Sequence, residues 1–179
     1  MDTATTLQKA KEILTPLSGA MTSPEEERLD VILTVSQLLP AIRALRQADW
    51  GYLSAITGLD HPDPVASVND TKQWERMAEL GDTVPGSQTT LEGGVEVLYH
   101  FCECAAIVTL RIVLPYSRAR IPSVCDLIPS ATLYERELME MFGVDVEGTP
   151  NPDKLLLPDD WPDGVYPMRK SYIVETPSK

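Results

Sequence analysis

Positive charge is scarce in this chain of 179 residues. Fifteen Lys and Arg stand against 27 Asp and Glu, for a formal charge of −12. A nucleic-acid binder needs a basic footprint, and no run of residues supplies one. An anionic membrane surface would repel the chain as a whole. Cysteine is scarcer still: three residues, an odd number at low density, argue against a disulfide scaffold and for a reduced, cytoplasmic chain. Long apolar runs are missing. Even the stretch from Ala105 to Leu114 is broken by Thr109 and Arg111, far short of the ~18 apolar residues that a membrane-spanning helix needs. The start, Met1 to Leu17, has Lys9, Lys11 and Glu12 but no basic head followed by an apolar block, so no secretory signal is expected. Asp2, Glu12 and the lack of Arg before Arg28 are equally unlike an organelle transit peptide. Neither a Walker loop nor a Gly-x-Gly-x-x-Gly run occurs, so phosphate or dinucleotide cradling has no support.

What is there has an ordinary globular balance, 43% hydrophobic and 23% charged, at a length suited to one domain or one domain plus an extended arm. Apolar spacing predicts a helix over Thr5–Leu14 and a strand over Leu29–Val35. A second helix runs to about Gln47, with Ser36 as its cap and Pro40 in its first turn. Tyr52–Leu59 reads as a strand. A long excursion from His61 to about Gly94 holds a short helix, roughly Thr71–Leu80, closed by Gly81. Val95–Cys104 and Ala106–Leu114 form a meander, the second strand burying Val108, Leu110, Ile112 and Leu114 on one face. Ile121–Phe142 reads as a short helix, a break at Pro129, and a longer helix. Its expected capping box is Thr132 with Glu135, and Gly143 closes it in the left-handed region. After Val144 no periodic apolar pattern survives, and six of the 15 prolines fall between Pro150 and Pro177. Such a segment cannot close a core of its own.

Few constellations invite chemistry. Cys102-Glu103-Cys104 could aim two thiolates from one strand face, yet metal sites need about four ligands, and only Cys125, His61 and His100 remain. Small buried hydrophobes are the plainer reading of these cysteines, and His100 has no nucleophile motif near it. On the last helix, Glu135 and Arg136 should point outward beside Glu140, while Tyr134, Leu138, Met141 and Phe142 line the buried stripe. Taken alone this is a solvated face with an Arg136–Glu140 pair. The tail alters that reading. Leu155-Leu156-Leu157-Pro158-Asp159-Asp160-Trp161 and Tyr166-Pro167-Met168-Arg169-Lys170 place large apolar groups in a proline-rich segment. At about 25 cal/mol per Å² of apolar surface they are costly to leave in water, and aromatics and Arg are the residues that anchor interfaces. The composition predicts a docked arm and a protein partner.

At these residues the chain resembles a known family. Glu135-Arg136-Glu137, Met141-Phe142-Gly143-Val144, Leu155 through Trp161, and Pro167-Met168-Arg169-Lys170 follow, in order and spacing, the C subunit (30 kDa type) of respiratory complex I, NADH:quinone oxidoreductase. The same module occurs in membrane-bound hydrogenases and formate hydrogenlyase. The resemblance spans roughly Ile121 to Tyr172. Glu140 stands where the family usually has Asp, Thr149-Pro150 replaces His-Pro, Lys154 replaces Arg, and Ser171 replaces Asp. The excursion from His61 to Gly94 is longer than the family's loop, and Asp163 through Pro167 is nearer the hydrogenase branch.

The resemblance implies a hydrophilic peripheral-arm subunit on the cytoplasmic side of the cell membrane, with no span of its own. It would have no active site and would bind no cofactor. NADH, FMN, iron–sulfur clusters and quinone would belong to other chains of the complex. Its partners would be the large D-type subunit, which is homologous to a hydrogenase large subunit, and the iron–sulfur B- and I-type subunits. The runner-up is the equivalent subunit of an energy-converting hydrogenase or other ferredoxin-linked complex, and a stand-alone enzyme is the third class. The expected architecture is α+β. A mixed four-stranded sheet with helices on one side would occupy residues 1–146, and an extended partner-docking arm residues 147–179. Glu135, Arg136, Glu137, Arg169 and Lys170 are the candidate interface or arm-tethering charges, with Phe142, Gly143 and Trp161 as apolar contacts at the same interface.

Overall fold

The computed structural model describes residues 2–18, 20–62 and 93–173. The helix expected over Thr71–Leu80, with its Gly81 stop, lies outside them. Helix α1 covers Thr3–Leu14 and α2 covers Val35–Gln47. Strands β1 (Ala20–Thr22), β2 (Arg28–Ile32), β3 (Tyr52–His61), β4 (Gly94–Glu103) and β5 (Ala106–Pro115) form one sheet in the order β1-β2-β5-β4-β3. The β2–β5 pair is parallel and the other three are antiparallel, so the sheet is mixed. Further along come β6 (Arg120–Pro122), helix α3 (Thr132–Phe142) and β7 (Asp145–Glu147). The class is α+β, as expected.

The sheet has five strands and not four. The added strand, β1, is three residues long and pairs with β2 across the polar Ser23–Glu27 turn. Three residues carry too little alternation to be read from sequence. A second correction concerns Ile121, which is in strand β6, parallel to β7, and not in a helix. It precedes Pro122, whose ring clashes with a helical predecessor and drives it to extended backbone. Two caps also differ. Thr34, not Ser36, begins α2, in a reciprocal box with Gln37, so Pro40 sits in the second turn. Pro40 and Ser36 are both exposed there, where water can serve the Ser36 carbonyl that proline leaves without a donor. At α3 a 3-10 turn, Pro129–Ala131, precedes the helix, so Thr132 lies inside it and forms no cap.

The period of two sorts the sheet into faces. Leu29 and Val31 of β2, Val108, Leu110, Ile112 and Leu114 of β5, and Val95, Val97, Tyr99 and Phe101 of β4 are buried in one core. Ala10 and Leu14 of α1, and Leu38, Ile42 and Leu45 of α2, complete that layer. Trp50 closes the far end, its indole N–H donating to the Thr6 carbonyl at 3.0 Å. The alternate face carries charge. Arg111 donates to Glu96 at 2.7 Å and to Asp30 at 2.9 Å, and His61 Nε2 lies 3.1 Å from the second Glu96 oxygen. The Glu96 side chain is 4% exposed, so these partners offset the cost of burying it.

Two outcomes follow from that face. Arg111→Met should strand the buried Glu96 carboxylate and lower stability by about 3 kcal/mol in urea denaturation. His100 bonds Thr109 at 3.2 Å. Burial, then the nearby Arg28 and Arg111, hold it below the usual imidazole range, against an opposing pull from Asp30. Its folded pKa is depressed, so the unfolded chain takes up this proton first. Its contribution is complete above about pH 6.5 and is lost as pH falls from there towards the folded value. Denaturation across pH 5–7 should show a shallower acid-side loss for His100→Gln than for the wild type.

Candidate docking site

Helix α3 is the platform on which the tail is laid. Its inner side seats Leu138 and Phe142, both buried. Phe142 comes so close to β3 that a Cβ on Gly58 would sit 2.5 Å from the ring. Tyr134 adds a bond from its hydroxyl to the Ser54 carbonyl at 2.9 Å. Gly143 ends the helix with φ +67 and returns its N–H to Met139, as expected. The Tyr166 ring packs against this glycine, where an added Cβ would clash with it.

Glu135 does not face solvent. It is 1% exposed and accepts from the Ser123 hydroxyl at 2.8 Å, the Val124 N–H at 2.7 Å and the Cys125 thiol at 3.2 Å. The residue that sequence spacing assigns to a capping box instead pins the 123–125 turn to the helix. Burial, reinforced by this carboxylate, pushes both the Tyr99 phenol and the Cys125 thiol up. Cys125 therefore stays a protonated donor at neutral pH and is a poor nucleophile.

The outer side of α3 binds backbone. Arg136 and Glu140 do not pair with each other. Arg136 donates to the carbonyls of Asp153 at 2.8 Å and Lys154 at 2.7 Å. Glu140 accepts the N–H groups of Leu156 at 2.9 Å and Leu157 at 3.2 Å. At the helix end, Met141 O takes the Met168 N–H and Phe142 O takes Arg169 Nε at 2.7 Å. The Arg169 guanidinium stands 4.6 Å from the Tyr166 ring centre and 4.7 Å from that of Tyr116. The Lys170 N–H reaches Asp60 of β3 at 2.9 Å, and the Tyr116 hydroxyl bonds the other Asp60 oxygen. Within the tail, Lys154 Nζ bonds the carbonyls of Asp159 and Trp161, and the Trp161 indole closes a turn on Val165.

Arg136, Phe142, Gly143, Arg169 and the Lys170 backbone are thus gathered along the outer side and C-terminal end of α3. Glu135 is on the inner side of the helix, and Glu137 is exposed. Trp161 sits further out, 6.0 Å from the Tyr172 ring, beside a cleft of about 770 Å³ that Val165, Tyr166 and Ile173 also line. Sequence reasoning missed Glu140, Asp60, Tyr116 and Tyr166 as tail contacts. Glu140 and Tyr166 lay within the span of the family resemblance, whereas nothing in the local spacing marks Asp60 or Tyr116 as a tail contact. Cys102 and Cys104 do not share a strand face, because β4 ends at Glu103 and Cys104 occupies the hairpin turn at φ +54. Among the described residues no three His, Cys, Asp or Glu side chains gather as a metal site, and no helix is long and apolar enough to cross a membrane.

The model of the respiratory-chain NADH dehydrogenase 30 kDa subunit matches residues 31–178. The chain belongs to that family. Among curated relatives, the membrane-bound hydrogenase subunit beta of Pyrococcus furiosus is 46% identical over 55 residues, 31% of this chain and 32% of that protein. Formate hydrogenlyase subunit 5 of Escherichia coli is 41% identical over 63 residues, 35% of this chain and 11% of that one. The C/D subunit of the NADH-quinone oxidoreductase of Methylococcus capsulatus is 36% identical over 100 residues, 55% and 16% respectively. The matched stretch spans a third or less of each of these relatives. A solved chain of the membrane-bound sulfane sulfur reductase, an archaeal respiratory membrane complex, shares the fold at TM-score 0.68 and 22% identity, over 94% of this chain and 86% of that one. A trypsin-resistant fragment of Nqo5 does so at TM-score 0.57 and 20% identity, over 82% and 98%.

Removing the buried carboxylate should be costly here. Glu135→Ala leaves the Val124 N–H and Ser123 hydroxyl without their acceptor and should lower unfolding free energy by about 2–4 kcal/mol. Glu135→Gln, which keeps one acceptor oxygen, should lose less in the same denaturation series.

Proposed function

We propose that the chain is a non-catalytic, hydrophilic subunit of the peripheral arm of a membrane-bound NADH:quinone oxidoreductase. It holds a large D-type subunit in shape beside the quinone and terminal-cluster site, in contact with iron–sulfur B- and I-type neighbours, on the cytoplasmic side of the membrane. Family membership carries the reading, supported by relatives whose names join C and D in one protein. The tail fits such a role. Its backbone is tied to α3, while Leu156 at 61% exposure and Met168 at 58% project outward, the side chains that a partner would cover. NADH, FMN, iron–sulfur clusters and quinone belong to other chains in this reading, and the contribution of this one is shape.

A second reading is favoured by the relatives of higher identity, which are hydrogenase and formate hydrogenlyase subunits. On it, the same module serves a membrane-bound hydrogenase or another ferredoxin-linked complex. Purification of the tagged chain from native membranes separates the two, because quinone-linked NADH oxidation or hydrogen evolution would co-elute. Leu156→Asp together with Met168→Asp should abolish recovery of the large subunit while moving the melting temperature of the isolated chain by less than about 2 °C. Full recovery with the double variant would overturn the tail as the docking surface.

A further inference from the structure

A chain segment without helix or strand has backbone groups that nothing in its own periodicity satisfies. From Gly148 to Ile173 the tail is such a segment, and three of its N–H groups end on carboxylates of the body. Glu140 takes those of Leu156 and Leu157, and Asp60 takes that of Lys170. The first site fixes the run bearing Leu155 and Leu156. The second fixes the turn bearing Met168, whose own N–H is bonded to Met141. These three apolar side chains are exposed, yet the backbone beneath them is held from within the chain.

We propose that Glu140 and Asp60 are positioning residues for assembly, holding the tail in its docking shape before a partner arrives so that Leu155, Leu156 and Met168 form a preformed apolar ridge for an apolar surface of the large subunit. This rests on the function proposed above. Ordering a loose tail at the moment of contact would subtract its conformational entropy from the affinity, whereas a tail already ordered binds without that loss. Carboxylates suit the task. An ionised acceptor makes a stronger bond to an N–H than a neutral one does, and one Glu140 serves two adjacent donors. Asp60 also holds the Tyr116 hydroxyl, and Tyr116 is one of the two rings flanking Arg169, so the second site braces the turn from two sides.

The experiment pairs amide hydrogen exchange on the isolated full chain with competition in cells that also carry the untagged wild-type chain. The wild-type amides of Leu156, Leu157 and Lys170 should exchange at least about tenfold more slowly than free peptide. Glu140→Ala should erase protection at Leu156 and Leu157 but leave β4 and β5 unchanged. It should also lower the tagged chain's share of the recovered large subunit by about 10- to 100-fold. Glu140→Asp should restore most of both, and Asp60→Asn should weaken Lys170 protection and association together. Free exchange of the tail in the wild type would overturn the proposal, because the partner would then do the ordering. So would loss of protection in Glu140→Ala with undiminished association. If the wild-type chain recovers no large subunit, the functional reading itself fails, and the assembly role with it, whatever the exchange shows.

Discussion

The arrangement depends on one requirement: the backbone of residues 148–173, which no ladder or helix serves, needs donors and acceptors from elsewhere. The outer side of α3 supplies them. Arg136 covers two carbonyls, Glu140 two amides, and the open carbonyls of Met141 and Phe142 at the helix C-terminus take a tail N–H and the Arg169 side chain. The last turn of any helix leaves carbonyls unpaired, and here they become the attachment point. Gly143 makes this geometry possible twice. Its positive φ ends the helix, and its missing Cβ leaves room for the Tyr166 ring against the stop.

The platform can bear the tail because its other side is fixed to the sheet. Glu135, Leu138 and Phe142 tie α3 to the 123–125 turn and to β3. The sheet in turn has an apolar face under the helices and a charged face crossed by Asp30, Arg111, Glu96 and His61. A buried ionic network of this kind adds little net stability over an apolar packing of the same shape, but it penalises any register that separates its members. It runs from β2 to the end of β3, the strand that carries Asp60. The register of the sheet therefore sets where the tail's second anchor stands.

Of the residues chosen from the sequence as interface or arm-tethering charges, Arg136, Arg169 and Glu135 make their bonds within the chain. Arg136 and Arg169 bond backbone carbonyls, and Glu135 is buried. The large apolar side chains exposed on the tail are Leu155, Leu156, Met168 and Ile173, set among Asp153, Asp159, Asp160, Asp163 and Lys170. Charge here organises the chain's own irregular segment, and leucine and methionine side chains are among those left facing outward.

Local pattern was enough for the meander of β4 and β5, the amphipathic stripes of α1 and α2, the glycine stop at Gly143 and the loss of periodicity beyond Val144. Each of these is written within a few residues by side-chain spacing or by one special backbone angle. The motif segments around Glu135, Leu155 and Pro167 placed the chain in its family for the same reason. Contacts decided the rest. β1 exists because β2 offers it an edge, the extended segment at Ile121 becomes a strand because β7 pairs with it, and Glu135 turns inward because the 123–125 turn has donors without acceptors. The pairing of Asp60 with Lys170 joins residues 110 positions apart, and no local spacing encodes a bond that forms only after two ends of the chain have packed together.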